Sequence, residues 1–336
     1  MDYVYGEILT VNGLQKGYIG FTKNKIVDRG KGLCPKKPIA KGLIVPTFIN
    51  AHTHIGDSFI SRKKIKLPRD VKALVAPPNG LKHKLLREAS EKQLIDGMEE
   101  SINIMIKSGT KLFCDFREDS IFGICLLKTA MDFWNISSII LSRPDSLNYI
   151  KNELDILLKI SDGIGLSALS DWNYSELLKV ARYTKQKKKI FSIHASERVR
   201  EDIDKILDLK PDFLIHMIKT NESDLIKVKE NNIPIVICPR SNAFYGLQPN
   251  YKLLKKIGVK IIIGTDNCML TSPNIIDEIK FIRSDFKGFS AIKLLKMITY
   301  DARKVLNRNC DILGPKSKAE FVVLDKKTLK PLYISI

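Results

Sequence analysis

The stretch FINAHTHIGDSF, residues 48–59, runs apolar and then sets His52 and His54 one residue apart, ahead of a Gly and an Asp. The whole chain has only five histidines. Residues two apart on a strand point to the same side, so both imidazoles can reach one point if this run is a strand. Two surface polar residues after a strand would look the same. What the rest of the chain places beside them decides the matter.

Seven further short apolar runs have the same texture as LIVPTFINAH (43–52). They are TKLFCDF (110–116), ISSIILS (136–142), IGLSAL (164–169), KIFSIHA (189–195), DFLIHM (212–217), IPIVICP (233–239) and KIIIGTD (260–266). Amphipathic stretches such as EKQLIDGMEESINIMIKSG lie between nearly all of them. Continuous apolar strands alternating with such helices predict a parallel sheet covered on both faces. Eight units predict an α/β fold of the (β/α)8 TIM-barrel type over residues 46–311. No GxGxxG follows the first strand, which argues against an open dinucleotide-binding sheet.

The two ends differ from this middle. Residues 1–45 read as short strands with Gly turns, and 312–336 repeat that pattern. Both ends are expected to share one small composite β-sandwich domain, since domain termini often lie close together. At 336 residues, 44% hydrophobic and 28% charged, the composition is that of a globular chain. No apolar run reaches the roughly 18 residues of a membrane span. MDYVYGEILTVNG shows no export signal, so a cytoplasmic protein is expected. The six cysteines form no CxxC pair and suggest no disulfide framework. The net charge is +19. The lysines are spread along the chain, which fits the lysine-rich proteome expected of a thermophile better than a nucleic-acid partner.

On this scaffold the rare residues converge. His52 and His54 end strand 1, His194 ends strand 5, His216 ends strand 6 and Asp266 ends strand 8. Barrel enzymes place their chemistry at that end. Imidazoles with one carboxylate suit a divalent cation, zinc first, with iron or manganese as alternatives. An open position on it would hold a water with its pKa lowered toward ~7.

The segments PTFINAHTHIGDS, FSIHASE, FLIHM, CPRSNAFYG and GTDN, in this order, resemble the amidohydrolase superfamily. Within it they resemble the branch of cytosine, guanine and adenosine-type deaminases and triazine chlorohydrolases. The terminal segments resemble that family's composite β domain. The resemblance implies His52, His54, His194 and Asp266 as metal ligands. It implies that His216 hydrogen-bonds the nucleophile or the substrate, and that Asp266 also accepts the proton of the attacking water. Glu197, in HASE, matches the family's proton shuttle to the ring nitrogen and the leaving amine. Two-metal members carry a Lys at the end of strand 4. GIGLSALSDW has none, which implies one metal.

Arg117 after strand 2 and Arg143 after strand 3 are candidate substrate contacts for a carboxylate, phosphate or ribose. Trp172, in SDWNY after strand 4, is a candidate stacking surface for a flat ring. The long segment 55–82 reads as a lid, and His83 beyond it as an exposed helix-start residue. The function expected is a hydrolytic deaminase of a small N-heterocyclic amine such as a nucleobase, nucleoside or pterin-like ring. The alternatives are hydrolysis of a cyclic amide or another C–N or C–Cl bond at the same site, or a non-catalytic basic barrel that binds RNA or another anion. Membrane partners are not expected; a homo-oligomer is compatible with the sequence.

Overall fold

The computed structural model describes residues 1–336. Its larger sheet contains the eight expected strands in order: Phe48–His54, Thr110–Arg117, Ser137–Ser142, Gly163–Leu166, Ile190–Ala195, Phe213–His216, Ile235–Ile237 and Ile261–Ile263. The last strand resumes as Asp266–Asn267 after a two-residue break, and this piece pairs in parallel with the first strand, Asp266 opposite Thr53. The sheet is thereby closed. Thr265 N donates to His52 O at 3.0 Å across the same seam.

The reading of 43–52 as one strand is corrected. Ala40–Pro46 belongs to a second sheet, and the barrel strand begins at Phe48. Thr47 is the joint. Its carbonyl and hydroxyl accept from Nη1 and Nη2 of the buried Arg303, at 3.0 and 3.1 Å. The second sheet has six strands, in the order Pro331–Ser335, Phe321–Leu324, Ala40–Pro46, Asp2–Thr10, Gly13–Phe21, Ile26–Lys31. It folds over on itself, so that Phe21 meets Phe321 edge-on with ring centroids 5.0 Å apart. This is a sandwich-like arrangement made from one sheet of both termini. No helix is long and apolar enough to cross a membrane.

Two apolar layers position the site. Outward-facing strand residues such as Phe113, Ile140, Ile193 and Leu214 pack with the helices in one large core. Ile49, Ala51, Leu112, Cys114, Phe116, Ile139, Phe213 and Ile215 fill the barrel interior. Ala302, in the helix Tyr300–Val305, and Leu306, which caps it, join this layer at the end where the strands begin. The first strand changes phase on the way up. Its register with the second shifts between Asn50 and Thr53, so Ala51 and His52 both reach the interior, and the His52 ring meets Phe116 at 4.4 Å. A bulge that re-aims a side chain beside a site has this form.

Candidate active site

The four residues expected as ligands come together. His52 Nε2 lies 3.2 Å from His194 Nε2 and 3.3 Å from Asp266 Oδ1. His54 Nε2 lies 3.3 Å from His194 Nε2 and 3.6 Å from Asp266 Oδ1. Atoms bound about 2.0–2.1 Å from one tetrahedral cation stand roughly 3.3–3.4 Å apart. The observed spacing fits a single divalent ion. The proton inventory agrees. His194 Nδ1 donates to Leu166 O at 2.7 Å, and His54 Nδ1 sits 2.7 Å from Glu118 Oε1. Both Nε2 atoms are therefore bare lone pairs turned toward each other. Burial pushes His52, His54 and His194 toward the neutral imidazole, His54 down to about 3. Neutral imidazoles are the form that ligates a metal, and this donor set suits a cation.

Two more expected residues border the cluster. His216 Nε2 lies 3.4 Å from Glu197 Oε1. Asn242 Nδ2 contacts both, at 2.9 Å from Glu197 Oε1 and 3.1 Å from His216 Nδ1. Burial lifts the Glu197 carboxyl above the ordinary range, with His216 and the Asn242 amide pulling the other way. Ser241 Oγ donates to Asp266 Oδ2 at 2.6 Å, leaving Oδ1 to face the histidines.

Behind His54 lies a buried charge network. Lys82 Nζ reaches Glu118 Oε1 at 2.6 Å, Asp57 Oδ2 at 3.2 Å and Asn267 Oδ1 at 2.9 Å. Glu118 thus supports the His54 ring while Lys82 balances its charge. Opposing the burial of its own carboxyl, the nearby Lys82 charge holds Glu118 well below the usual carboxylate range. Lys82→Met would leave the buried Asp57 without its cation and Glu118 with Arg117 alone. It is expected to cost about 3–5 kcal/mol in urea unfolding and to weaken metal binding about 10–100-fold. An unchanged midpoint together with unchanged metal affinity would contradict this role.

Arg117 belongs to the same network and is corrected as a substrate contact. It is buried, with Nη2 2.7 Å from Glu118 Oε2 and Nη1 3.3 Å from Asp115 Oδ1. Asp115 Oδ2 in turn accepts from Thr53 Oγ1 at 2.9 Å and Ile55 N at 2.8 Å. The guanidinium lies so close to Gly56 that an added Cβ would fall 1.9 Å from Nη2. Trp172 is corrected too: its indole packs in the core and its Nε1 donates to Ser167 Oγ at 3.2 Å, away from the cavity wall. His83, expected exposed, is buried with Nε2 3.1 Å from Val75 O.

The cavity above the cluster is walled on one side by Val71, Val75, Ala76 and Pro77, from the segment expected as a lid. His54, His194, Glu197, His216 and Asp266 all open into it. Arg143 does as well. It is 8% exposed, forms no ion pair, and its buried Nε has no partner. By contrast Arg198, also on the wall, lies 3.8 Å from Asp171.

The profile of the amidohydrolase family matches residues 43–335. A putative aminohydrolase of Archaeoglobus fulgidus is 32% identical over 277 residues, covering 80% of this chain and 78% of the relative. A 5-methylthioadenosine/S-adenosylhomocysteine deaminase of Caldicellulosiruptor saccharolyticus is 27% identical, covering 98% of this chain and 82% of the relative. In fold, the chain is similar to the aminofutalosine deaminase of Helicobacter pylori, with a TM-score of 0.74 and 16% identity over 97% of this chain and 92% of that one. With the family profile spanning the whole barrel and the C-terminal strands of the small sheet, the chain belongs to the amidohydrolase family and is a hydrolase acting on carbon–nitrogen bonds.

Proposed function

We propose that the protein hydrolyses the exocyclic amine of an aromatic N-heterocycle, a nucleobase, nucleoside or pterin-like ring, releasing ammonia. The observation that carries this reading is the Glu197 carboxyl, 11% exposed, set against His216 on the rim of a one-cation donor cluster inside one cavity. One divalent ion, zinc first, would be held by His52, His54, His194 and Asp266. When bound, it supplies Lewis acidity and lowers the pKa of a water toward ~7.

The chain's own residues do the rest. Water adds to the amine-bearing carbon, and Asp266 accepts a proton from it. Glu197 carries a proton first to the adjacent ring nitrogen and then to the departing amine. The C–N bond breaks, a C=O forms, and NH₃ leaves. A raised carboxyl pKa suits this work, because the group must hold a proton near neutral pH and still release it. Arg143 supplies the cavity's unpaired cation, so the favoured substrate carries an anionic or acceptor-rich substituent. The relatives, an aminohydrolase by name and a 5-methylthioadenosine/S-adenosylhomocysteine deaminase, support the same class.

The test is ammonia release by zinc-loaded protein from a panel of purine, nucleoside and pterin amines, with and without carboxylate or phosphate substituents. Turnover is expected with at least one amine. Arg143→Met is expected to raise KM about 10–100-fold for an anionic member of the pair, and less for its neutral counterpart. No ammonia from any amine, with turnover of cyclic amides instead, would overturn the deaminase reading.

A further inference from the structure

The apolar wall of the cavity is one short piece of chain. Val71, Val75, Ala76 and Pro77 form it, and among the other lining residues only Ala168 and Val199 are apolar. A flat heterocycle needs an apolar surface to lie against, so the placement of this segment decides how well a ring is bound. We propose that His83 is the positioning residue for this wall, holding residues 71–77 against the site through one hydrogen bond from its Nε2 to the Val75 carbonyl. The inference rests on the deaminase reading only for the ring as ligand.

The segment has little hold of its own. The helix Val71–Val75 has five residues and one buried side chain, Leu74, too short a helix to persist alone. Asp70 caps its start, with Oδ1 accepting from Ala73 N at 2.7 Å. Its end is the open question, because the last carbonyls of a helix find no partner within it. His83 answers it, with Nε2 3.1 Å from Val75 O. A carbonyl only accepts, so this nitrogen carries the proton. Burial, with the nearby Arg143 and Lys82 charges, pushes the ring down to about 4, so it is neutral and has one N–H to give. Upstream, residues 65–69 make no hydrogen bond to the rest of the chain. Leu67 packs partly into the core there, and the Arg69 guanidinium stands 5.6 Å from the centre of the Phe244 ring.

The donor, by contrast, is mounted on a fixed base. His83 follows Lys82 in the first turn of the helix Leu81–Glu88. Lys82 reaches Glu118, Asp57 and Asn267, and Leu85 and Leu86 sit in the main core. That turn cannot swing without breaking the buried charge network. The corner between the two helices is closely fitted as well. A Cβ on Gly80 would fall 2.8 Å from Leu74 O and 2.9 Å from Ala76 O. Gly80 N donates to Ala76 O at 2.9 Å, and Arg87 Nη1 adds a long contact to Pro78 O at 3.4 Å. His83 therefore ties a loosely tethered wall to the rigid side of the site.

The experiment is hydrogen exchange by mass spectrometry on zinc-loaded, substrate-free protein, beside steady-state kinetics on the best amine. His83→Met keeps the bulk and removes the donor, while His83→Gln keeps an N–H at similar reach. In His83→Met the amides of residues 71–80 are expected to exchange about 5–10-fold faster, as for one lost hydrogen bond, with exchange elsewhere unchanged. KM is expected to rise about 5–10-fold with kcat within about threefold of wild type and zinc content intact. His83→Gln is expected to restore both exchange and KM. Unchanged exchange over 71–80 in His83→Met overturns the proposal, and so does a fall in kcat with KM unmoved. If neither variant folds, ¹H–¹⁵N correlation on the wild type decides: Nε2–H on His83 supports the latch and Nδ1–H overturns it. Exchange and tautomer are read without substrate, so a wild type that releases no ammonia counts against the deaminase reading alone.

Discussion

His52→Ala is expected to strip the site of its metal and to lower turnover by at least ~10³-fold, about 4 kcal/mol or more of barrier. The His52 ring occupies the centre of the donor set, 3.2 Å from His194 Nε2 and 3.3 Å from Asp266 Oδ1. Removing it takes away one of four donors and opens one side of the site to solvent. Asp266→Ala is expected to behave alike, because it removes the cluster's one carboxylate. Metal content and activity should fall together, while the metal-free forms of variant and wild type unfold within a few kcal/mol of each other. A variant that keeps its metal and its turnover would show that the cation, if bound, sits elsewhere.

Glu197→Gln is expected to split these two readouts. The side chain keeps its shape, and none of the four donors is touched. Metal content should stay at the wild-type level while kcat falls ~10²–10⁴-fold, the range for losing one positioned acid–base group. An amide cannot accept a proton from water and pass it to a ring nitrogen or an amine. Full retention of kcat would remove Glu197 from the proton path and leave the cluster's role intact.

The donor set was legible because it follows backbone period and position. His52 and His54 are two apart on one strand, and His194, His216 and Asp266 each sit at a strand end, so an eight-unit barrel brings them to one rim. The network beneath them was not. Lys82, Glu118, Asp57 and Asn267 come from separate segments, and a charged residue alone in sequence defaults to the surface. Arg117 was misread for that reason, although CDFRE held a clue: Asp115 is two residues away on the same strand face, and Glu118 is adjacent. The strand boundary at Thr47 was hidden because both sheets use apolar residues on either side of it. Arg303, which marks the joint, lies far along the chain. Asn242 lies within CPRSNAFYG, but its contact with Glu197 spans 45 residues of sequence and needed the fold.

The central claim is that FINAHTHIGDSF supplies half of a one-cation site. The most direct test is metal content by plasma mass spectrometry on protein purified without an affinity tag or chelator, with His52→Ala beside it. The account predicts about one zinc, iron or manganese per chain in the wild type and little in the variant. Two ions per chain, or none after reconstitution with zinc, would contradict it.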